Sequence, residues 1–482
     1  LEVILIAKKR KQKTGKSKTP SFIIEMPLVV NTHQKKTILS RMEAGRQLYN
    51  ACLGEALKRK EQMVNSKLYR QAKIMPGSTE SEKVARSAVF KEAREKHGFS
   101  EYALHGYATR IRNSWIGEHL DSQAAQKIAT RAYQAVEKTL TGEAERVRFK
   151  RYGELNSIEG KSNSTGIRWR NNRVVWNGLE LKPLINSNDP VLKHGLNSRV
   201  KYVRLIKRII GGKIRFFVQL ICEGTPYQKH QNQIREGIVG LDIGPSTIAR
   251  ISETEANLSP FCPELESRQK EIKQRQRQLD RQRRANNPDN YNPDGTIKKG
   301  RLKWRKSKRY SKTQNQHAEI HRKQAEYRKS LHGKMINEIL RTGNRIYLED
   351  LSYKSFQKNF GQSVNFRGPG TFVARLKQKT ERTGEVIEFP TGPTSLSQTC
   401  QCGKKEKKNL AKRWHQCECG VKAQRDLYSA YLARYVDQDK TGKWQVDLKK
   451  AQTDWPKYEP MLTQTIKNLK AANYNKPTSM GI

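Results

Sequence analysis

The chain is 482 residues long with a mass of 55.6 kDa, more than one compact core accommodates and enough for two to four domains. Its 95 Lys and Arg against 46 Asp and Glu leave a formal charge of +49 and a pI near 10.1, which drives the chain apart unless a polyanion neutralises it. A sequence-specific duplex-binding face makes only about 6–10 phosphate contacts, so an excess of this size favours an enveloping nucleic-acid channel. Hydrophobic residues at 35%, with 8% aromatic, still supply folded cores. The longest apolar runs, such as residues 216–222, fall far short of the roughly 20 residues of a membrane span. The N-terminus reads apolar over 3–7 and then basic over 8–18, the reverse of a secretory signal. Seven cysteines, four of them inside one 20-residue window, do not make a disulfide framework. No membrane partner and a cytoplasmic location are expected.

Residues 1–20 read as a basic arm, mobile until it meets phosphate. Residues 21–30 read as a strand carrying Ile23, Ile24, Leu28, Val29 and Val30. From 35 to about 62 the period changes: Ile38, Met42, Gly45, Tyr49, Cys52 and Ala56 recur at steps of four and three, one stripe of a helix. Residues 76–151 are helix-rich in composition. Between 166 and 224 the texture is strand-like, in runs 168–176, 179–184, 200–210 and 213–222, the last two joined by Gly211-Gly212, a two-residue hairpin signal. A small barrel is expected, with Arg168, Arg170, Arg173, Lys201, Arg204 and Lys207 on a basic outer face. The low-apolar stretch 225–236 reads as a linker. Residues 263–334 carry 22 Lys and Arg against 8 Asp and Glu, an excess of 14. Two charged helices, 266–285 and 314–340, flank a turn-rich middle there. Arg275, Arg281, Arg284, Arg301, Arg305 and Arg309 are backbone-contact candidates, with Trp304 and Tyr310 interleaved where bases could stack. After Trp455 the chain is Pro-, Asn- and Lys-rich and reads as a weakly ordered tail.

Three acids follow apolar runs or open one. Ile238-Val239-Gly240-Leu241-Asp242-Ile243-Gly244 reads as a buried strand delivering Asp242 at its end. Arg345-Ile346-Tyr347-Leu348-Glu349-Asp350 is a second such strand, with Glu349 arriving as the apolar run stops. Asp426 stands immediately before the helix-like run 427–436. Singly, each is as well explained by a turn or by a helix dipole. Together, three carboxylates at one sheet end repel one another unless divalent cations lie between them. Hard oxygen ligands choose Mg²⁺ or Mn²⁺, and a pair of such ions hydrolyses a phosphodiester.

Between the second and third acids lie Cys400-Gln401-Cys402-Gly403 and Cys417-Glu418-Cys419-Gly420. Two thiol pairs, each followed by Gly, are the pattern of two knuckles closing a structural Cys₄ zinc site. Disulfide pairing is the alternative, and His415 is near enough in sequence to replace one thiol. Cys52, Cys222 and Cys262 read as ordinary isolated cysteines.

GLDIG at 240–244, IYLEDL at 346–351, SQTCQCG at 397–403, CECG at 417–420 and QRDLYSA at 424–430 resemble, in that order, the split RuvC-type nuclease with embedded zinc ribbon of TnpB proteins. Those are insertion-sequence nucleases related to the compact type V CRISPR effectors. The resemblance implies a multidomain α+β chain. Its N-terminal half is a wedge β-barrel with first helix (21–64 and 156–225) and a helical recognition insertion (65–155). A linker (226–236) leads to a RuvC or RNase H-like α/β nuclease domain (237–394 and 424–454) with a basic helical insertion (263–334). A zinc ribbon (395–423) and a C-terminal tail (455–482) complete it. It implies Asp242, Glu349 and Asp426 as catalytic carboxylates holding Mg²⁺, and Cys400, Cys402, Cys417 and Cys419 as zinc ligands. The implied partners are a guide RNA and target double-stranded DNA, cut as the RNA directs, with a monomer favoured and a dimer known among small relatives. The knuckles here are C-x-C where C-x-x-C is commoner, and Gln424 stands where the usual pattern has an Asp. The alternatives are a guide-RNA-dependent DNA binder without cleavage and an RNA-independent transposase or junction nuclease.

Overall fold

In the computed structural model, residues 19–381, 383–409, 411–472 and 480–481 are described; residues 1–18 of the expected basic arm lie outside them. The chain divides into two units, Leu1–Tyr227 and Gln228–Ile482, and the boundary falls within the segment expected as a linker.

The first unit opens with β1 (Ser21–Val29), whose alternate residues Phe22, Ile24, Met26 and Leu28 are buried. Asn31 then caps α1 (Thr32–Asn65), its side chain and that of Gln34 exchanging bonds with each other's backbone N–H. The stripe expected from the sequence is the buried one, filled out by Ala44, Leu48 and Leu53. Five further helices follow: α2 (Lys67–Ile74), α3 (Glu80–Lys96), α4 (Glu101–Arg112), α5 (Ile116–His119) and α6 (Ser122–Leu140). The strands β2 (Ser157–Glu159), β3 (Arg168–Arg170), β4 (Arg173–Trp176) and β5 (Leu179–Pro183), a short α7 (Pro190–Leu196), and the long β6 (Val200–Ile210) and β7 (Lys213–Glu223) complete the unit.

The sheet order is β2-β6-β7-β1-β5-β4-β3, antiparallel throughout. Residues 168–176, expected as one strand, are two. Asn171 and Asn172 both take positive φ (48° and 56°) and turn the chain back in two residues. Asn177-Gly178 and Gly211-Gly212 do the same, at 43° and 74° and at 56° and 75°. These are the two-residue turns whose twist suits adjoining strands, and Asn and Gly tolerate the left-handed backbone they need. The strip curls until β3 lies against β6, although β2 and β3, the end strands, are not paired.

The second unit is built on β8 (Ile238–Ile243), β9 (Thr247–Ile251), β10 (Ala256–Pro260), and, after α8 (Gln269–Asn286) and α9 (Lys308–Leu340), β11 (Arg345–Glu349). The helices α10 (Tyr353–Arg367) and α11 (Pro369–Thr380) lead to β12 (Glu385–Phe389) and a short α12 (Thr391–Thr394). The hairpin β13 (Trp414–Gln416) and β14 (Lys422–Gln424) runs straight into α13 (Arg425–Ala433). A second hairpin, β15 (Val436–Gln438) and β16 (Trp444–Val446), precedes α14 (Leu448–Ala471). The five-stranded sheet is ordered β10-β9-β8-β11-β12: three strands meander antiparallel, and β11 and β12 run parallel to β8. One face packs on α13 and α14 through Tyr347, Leu427, Tyr431 and Trp455. The other packs on α9 and α11 through Leu241, Leu348, Ile336 and Phe372.

The expectation of a weakly ordered tail from 455 is corrected. α14 continues to Ala471 and buries Trp455, Tyr458, Leu462 and Ile466, spaced three to four apart. Pro456 and Pro460 point to solvent, where the carbonyls they leave without an N–H partner can be hydrated. Residues 473–479 and 482 of that segment lie outside the described residues.

Helix α13 lies so close to β8 that a Cβ on Gly240 would stand 1.9 Å from the Ala430 carbonyl oxygen. Gly240→Ala is therefore expected to destabilise the protein by about 3 kcal/mol or more. Denaturant unfolding of the variant beside wild type measures this, and a neutral result would mean that α13 sits farther from the sheet.

Candidate active site and metal centre

The register of two parallel strands brings the first two acids together. Leu241 of β8 pairs with Leu348 of β11, so the next residues, Asp242 and Glu349, end their strands side by side and point to one face. That face is the one covered by α13, because Gly240, two residues before Asp242, meets Ala430. Moving back four helix residues from Ala430 to Asp426 covers about 6 Å. Moving forward from Gly240 to Asp242 covers about 6.6 Å. Asp426 thus comes level with Asp242, and the sheet and helix together gather all three expected carboxylates.

Their electrostatics follow from burial. Loss of water, then the charges of Asp426 and Glu349, push the Asp242 carboxyl well above the usual carboxylate range, against the opposing pull of Arg425 and Arg413. Burial pushes Glu349 up to about 7. Asp426 sits in the first turn of α13, where the helix dipole favours an anion, and its Oδ1 lies 3.3 Å from Arg425 Nε and 4.0 Å from an Arg413 Nη. Arg425 is held in turn by the Lys412 carbonyl at 3.1 Å. These two arginines were not foreseen as site residues.

Three further residues were also missed. Gln424 caps α13, its Oε1 accepting from Leu427 N at 2.8 Å while its Nε2 donates to the Met480 carbonyl at 3.1 Å. Tyr353, at the start of α10, and Ser429, on α13, line the cleft that holds Asp242 and Glu349. An i+3 step from Asp426 puts Ser429 on the acid's side of the helix, which is the one signal in the sequence that pointed to it.

The four expected cysteines do gather. Their sulfurs all lie within 4.8 Å of one another, with Cys400–Cys419 at 3.5 Å and Cys402–Cys417 at 3.6 Å. Four sulfurs at about 2.3 Å from one tetrahedral ion stand about 3.8 Å apart, so the cluster can hold a metal such as zinc. The two knuckles are the same turn twice: Gly403 N donates to Cys400 O and Gly420 N to Cys417 O, at 2.9 and 3.1 Å. Both glycines take φ near 90°, which is how the short C-x-C spacing closes. Burial pushes the Cys400 thiol up to about 12, whereas the Cys419 backbone N–H draws Cys417 down to about 7. His415 is not part of the cluster; it stacks on Tyr428 at 4.3 Å and bonds Lys408. Cys52, Cys222 and Cys262 are isolated and buried. Among the described residues the cysteines are the one group of His, Cys, Asp or Glu this dense. The three acids are more loosely gathered.

The expected basic contacts divide. Arg170 is exposed and Lys201 half-buried, and they bond mainly to nearby backbone and to Thr19. Arg168 is half-buried, with its Nε covered. Arg204, however, is bridged to Glu159 at 2.6 Å, and Lys207 is buried with its Nζ on the Gly153 carbonyl, so the outer face is less basic than its composition. In the insertion Arg281, Arg301, Arg305 and Arg309 are exposed. Arg275 bonds Gln278, and Arg284 bridges Asp280 and lies over Tyr291. Trp304 is 38% exposed, but Arg283 covers one face and Tyr291 meets it edge-on. It is a bolt between the helix and the loop as well as an open ring.

No protein-family model matches the chain, and no curated protein does. Solved structures similar to it include the following two. A cryo-EM structure of a Cas12f1–sgRNA–target DNA complex aligns at a TM-score of 0.45 and 12% identity, over 86% of this chain and 98% of that one. A cryo-EM structure of a CRISPR-Cas12f ternary complex aligns at 0.26 and 13% identity, over 86% and 83%. Among the described residues no helix is long and apolar enough to cross a membrane.

Because Glu349 binds its proton more tightly folded than unfolded, the folded state holds extra protons between pH 4.5 and about 7, and stability falls as pH rises through that window. In chelator, Glu349→Gln should therefore stabilise the protein at pH 8 by on the order of 1–3 kcal/mol and leave it unchanged near pH 4. Denaturant unfolding at the two pH values reads this; equal stability at pH 8 would place Glu349 in contact with water. Elemental analysis should find one zinc per chain, lost in Cys400→Ser and in Cys417→Ser with a lowered melting temperature. Full zinc content in either variant would move the ligand set elsewhere.

Proposed function

We propose that the chain is an RNA-guided DNA endonuclease of the TnpB and compact type V kind, which binds a guide RNA and cuts target double-stranded DNA by metal-dependent phosphodiester hydrolysis. The observation that carries this reading is the meeting of Asp242, Glu349 and Asp426 at the carboxyl end of β8 and β11 under the first turn of α13. The strand order, an antiparallel meander flanked by two strands parallel to its first, suits an RNase H-like nuclease. The donor set suits Mg²⁺ or Mn²⁺: three carboxylates brought together from two strands and a helix start. When bound, such ions stabilise charge on the phosphate and ease ionisation of water.

The chain's own residues supply the rest. Arg425 and Arg413 hold the Asp426 carboxylate at the helix end. The net charge of +49 matches a channel around nucleic acid, in which base pairing with the guide reads most of the target. The guide RNA enters this reading through the motif order in the sequence.

Asp242→Ala is expected to bind guide and target as wild type does and to cut at less than about a thousandth of the rate, a barrier increase of about 4 kcal/mol. Cleavage and binding assays in Mg²⁺ test this, with sequencing of the RNA that copurifies from cells. A wild-type protein that binds target and never nicks it overturns the enzyme reading, and a preparation with no discrete RNA overturns the guide.

A further inference from the structure

Two side chains in the acid cleft have no explanation in the packing. Ser429 is 4% exposed, yet its hydroxyl oxygen makes no hydrogen bond. A helical serine ordinarily returns its hydroxyl to a carbonyl one turn back; this one does not. The Tyr353 hydroxyl is likewise covered and unpaired, although its ring is seated against Phe356. An unpaired buried hydroxyl costs roughly as much as a lost hydrogen bond, and two of them from different helices, α10 and α13, line one cleft. The cleft's other polar groups are Asp242 and Glu349, and the rest of its wall is Leu241, Ile243, Leu348, Leu351 and Leu396. Its enclosed volume, about 10 Å³, is room for about one water. A water needs two to four polar partners, and this wall offers four.

We propose that the cleft is a binding site for one water, held by the hydroxyls of Tyr353 and Ser429 beside Asp242 and Glu349, and that this water is the one delivered to the scissile phosphate. The proposal rests on the nuclease reading above for the second of its two clauses. In the reaction the water oxygen bonds to phosphorus and the ester bond from phosphorus to the leaving sugar oxygen breaks. One water proton passes to bulk solvent, and the leaving oxygen takes a proton from solvent. The other hydrogen stays on the new phosphate monoester until that group ionises. The two hydroxyls hold the water from sides where no carboxylate stands, and fix the direction of its lone pairs.

A high-resolution crystal structure of the chelated protein, together with cleavage kinetics of Tyr353→Phe and Ser429→Ala, tests both clauses. An ordered water within hydrogen-bond distance of both hydroxyls in wild type, absent in Tyr353→Phe, supports the site. A dry cleft in wild type overturns it. For the kinetics, Tyr353→Phe should lower kcat about 10-fold and Ser429→Ala about 3-fold or more, with KM for target unchanged and melting temperature unmoved. Wild-type kcat in both variants overturns the delivery role even where the water is seen. Should Tyr353→Phe fail to fold, Ser429→Ala and the wild-type water decide alone. A wild-type protein that holds the water and cuts nothing sinks the nuclease reading and leaves the site standing; one that cuts with a dry cleft does the reverse.

Discussion

A helix can share a site with the middle strand of a sheet only where that strand presents no side chain. Gly240 is that place: its missing Cβ lets the Ala430 carbonyl settle onto β8, and the rest of the second unit's acid site follows from the contact. With Ala430 pinned to Gly240, helix and strand geometry bring Asp426 level with Asp242, and parallel register with β11 sets Glu349 beside them. The cost is electrostatic. Burial, joined at Asp242 by the charges of Asp426 and Glu349, makes Asp242 and Glu349 favour their neutral forms, while Asp426 takes its counter-charge from Arg425 and Arg413. Such an arrangement is poor for stability, because carboxyl groups are held out of water beside one another.

Much of this was legible in the chain alone, and the legible part has a common physical origin. Apolar runs that stop at an acid mark buried strand ends, so Asp242 and Glu349 could be named before any fold was known. Paired Cys-x-Cys-Gly segments announce tight turns that bring sulfurs together, and Asn and Gly pairs announce hairpins. What escaped is what depends on a distant partner. Tyr353 and Ser429 are ordinary in sequence and gain meaning only from the cleft they share. Gln424 looked like a lost carboxylate and is a cap bonded at both ends. Asn171-Asn172 was hidden in a β-like run because Asn is neutral in composition and decisive in backbone conformation. Pro456 and Pro460 suggested a tail, because local propensity outweighed the buried spacing of Trp455, Tyr458, Leu462 and Ile466.

The charge needs the same discrimination. Composition counts every Lys and Arg alike, but some serve the fold. Arg41 is buried beneath Trp176 and donates to the Trp176 and Asn177 carbonyls. Lys207 holds the Gly153 carbonyl, and Arg204 neutralises Glu159. Arg284 and Arg283 bind Asp280 while lying over Tyr291 and Trp304. Long cationic side chains can bury their stems and satisfy carbonyls that nothing else reaches. The cationic side chains left exposed are thus fewer than +49 suggests, and Arg281, Arg301, Arg305 and Arg309 are among them.

The cysteine cluster and the acid site are mechanically one object. Strand β14 ends at Gln424 and α13 begins at Arg425 without an intervening loop, so any rotation of the hairpin turns the first helical residues with it. A second tie comes from Tyr428 on α13, whose hydroxyl accepts from Gln401 N at 2.9 Å and donates to Cys400 Sγ at 3.7 Å, while His415 stacks on its ring. Asp426 lies half a turn from Tyr428. Fixing the sulfurs fixes Gln401 and Tyr428, which orient α13, which sets the third carboxylate. The hairpin and the Tyr428 bonds are thus a second support for the N-terminus of α13, added to the contact at Gly240 that seats the helix on the sheet.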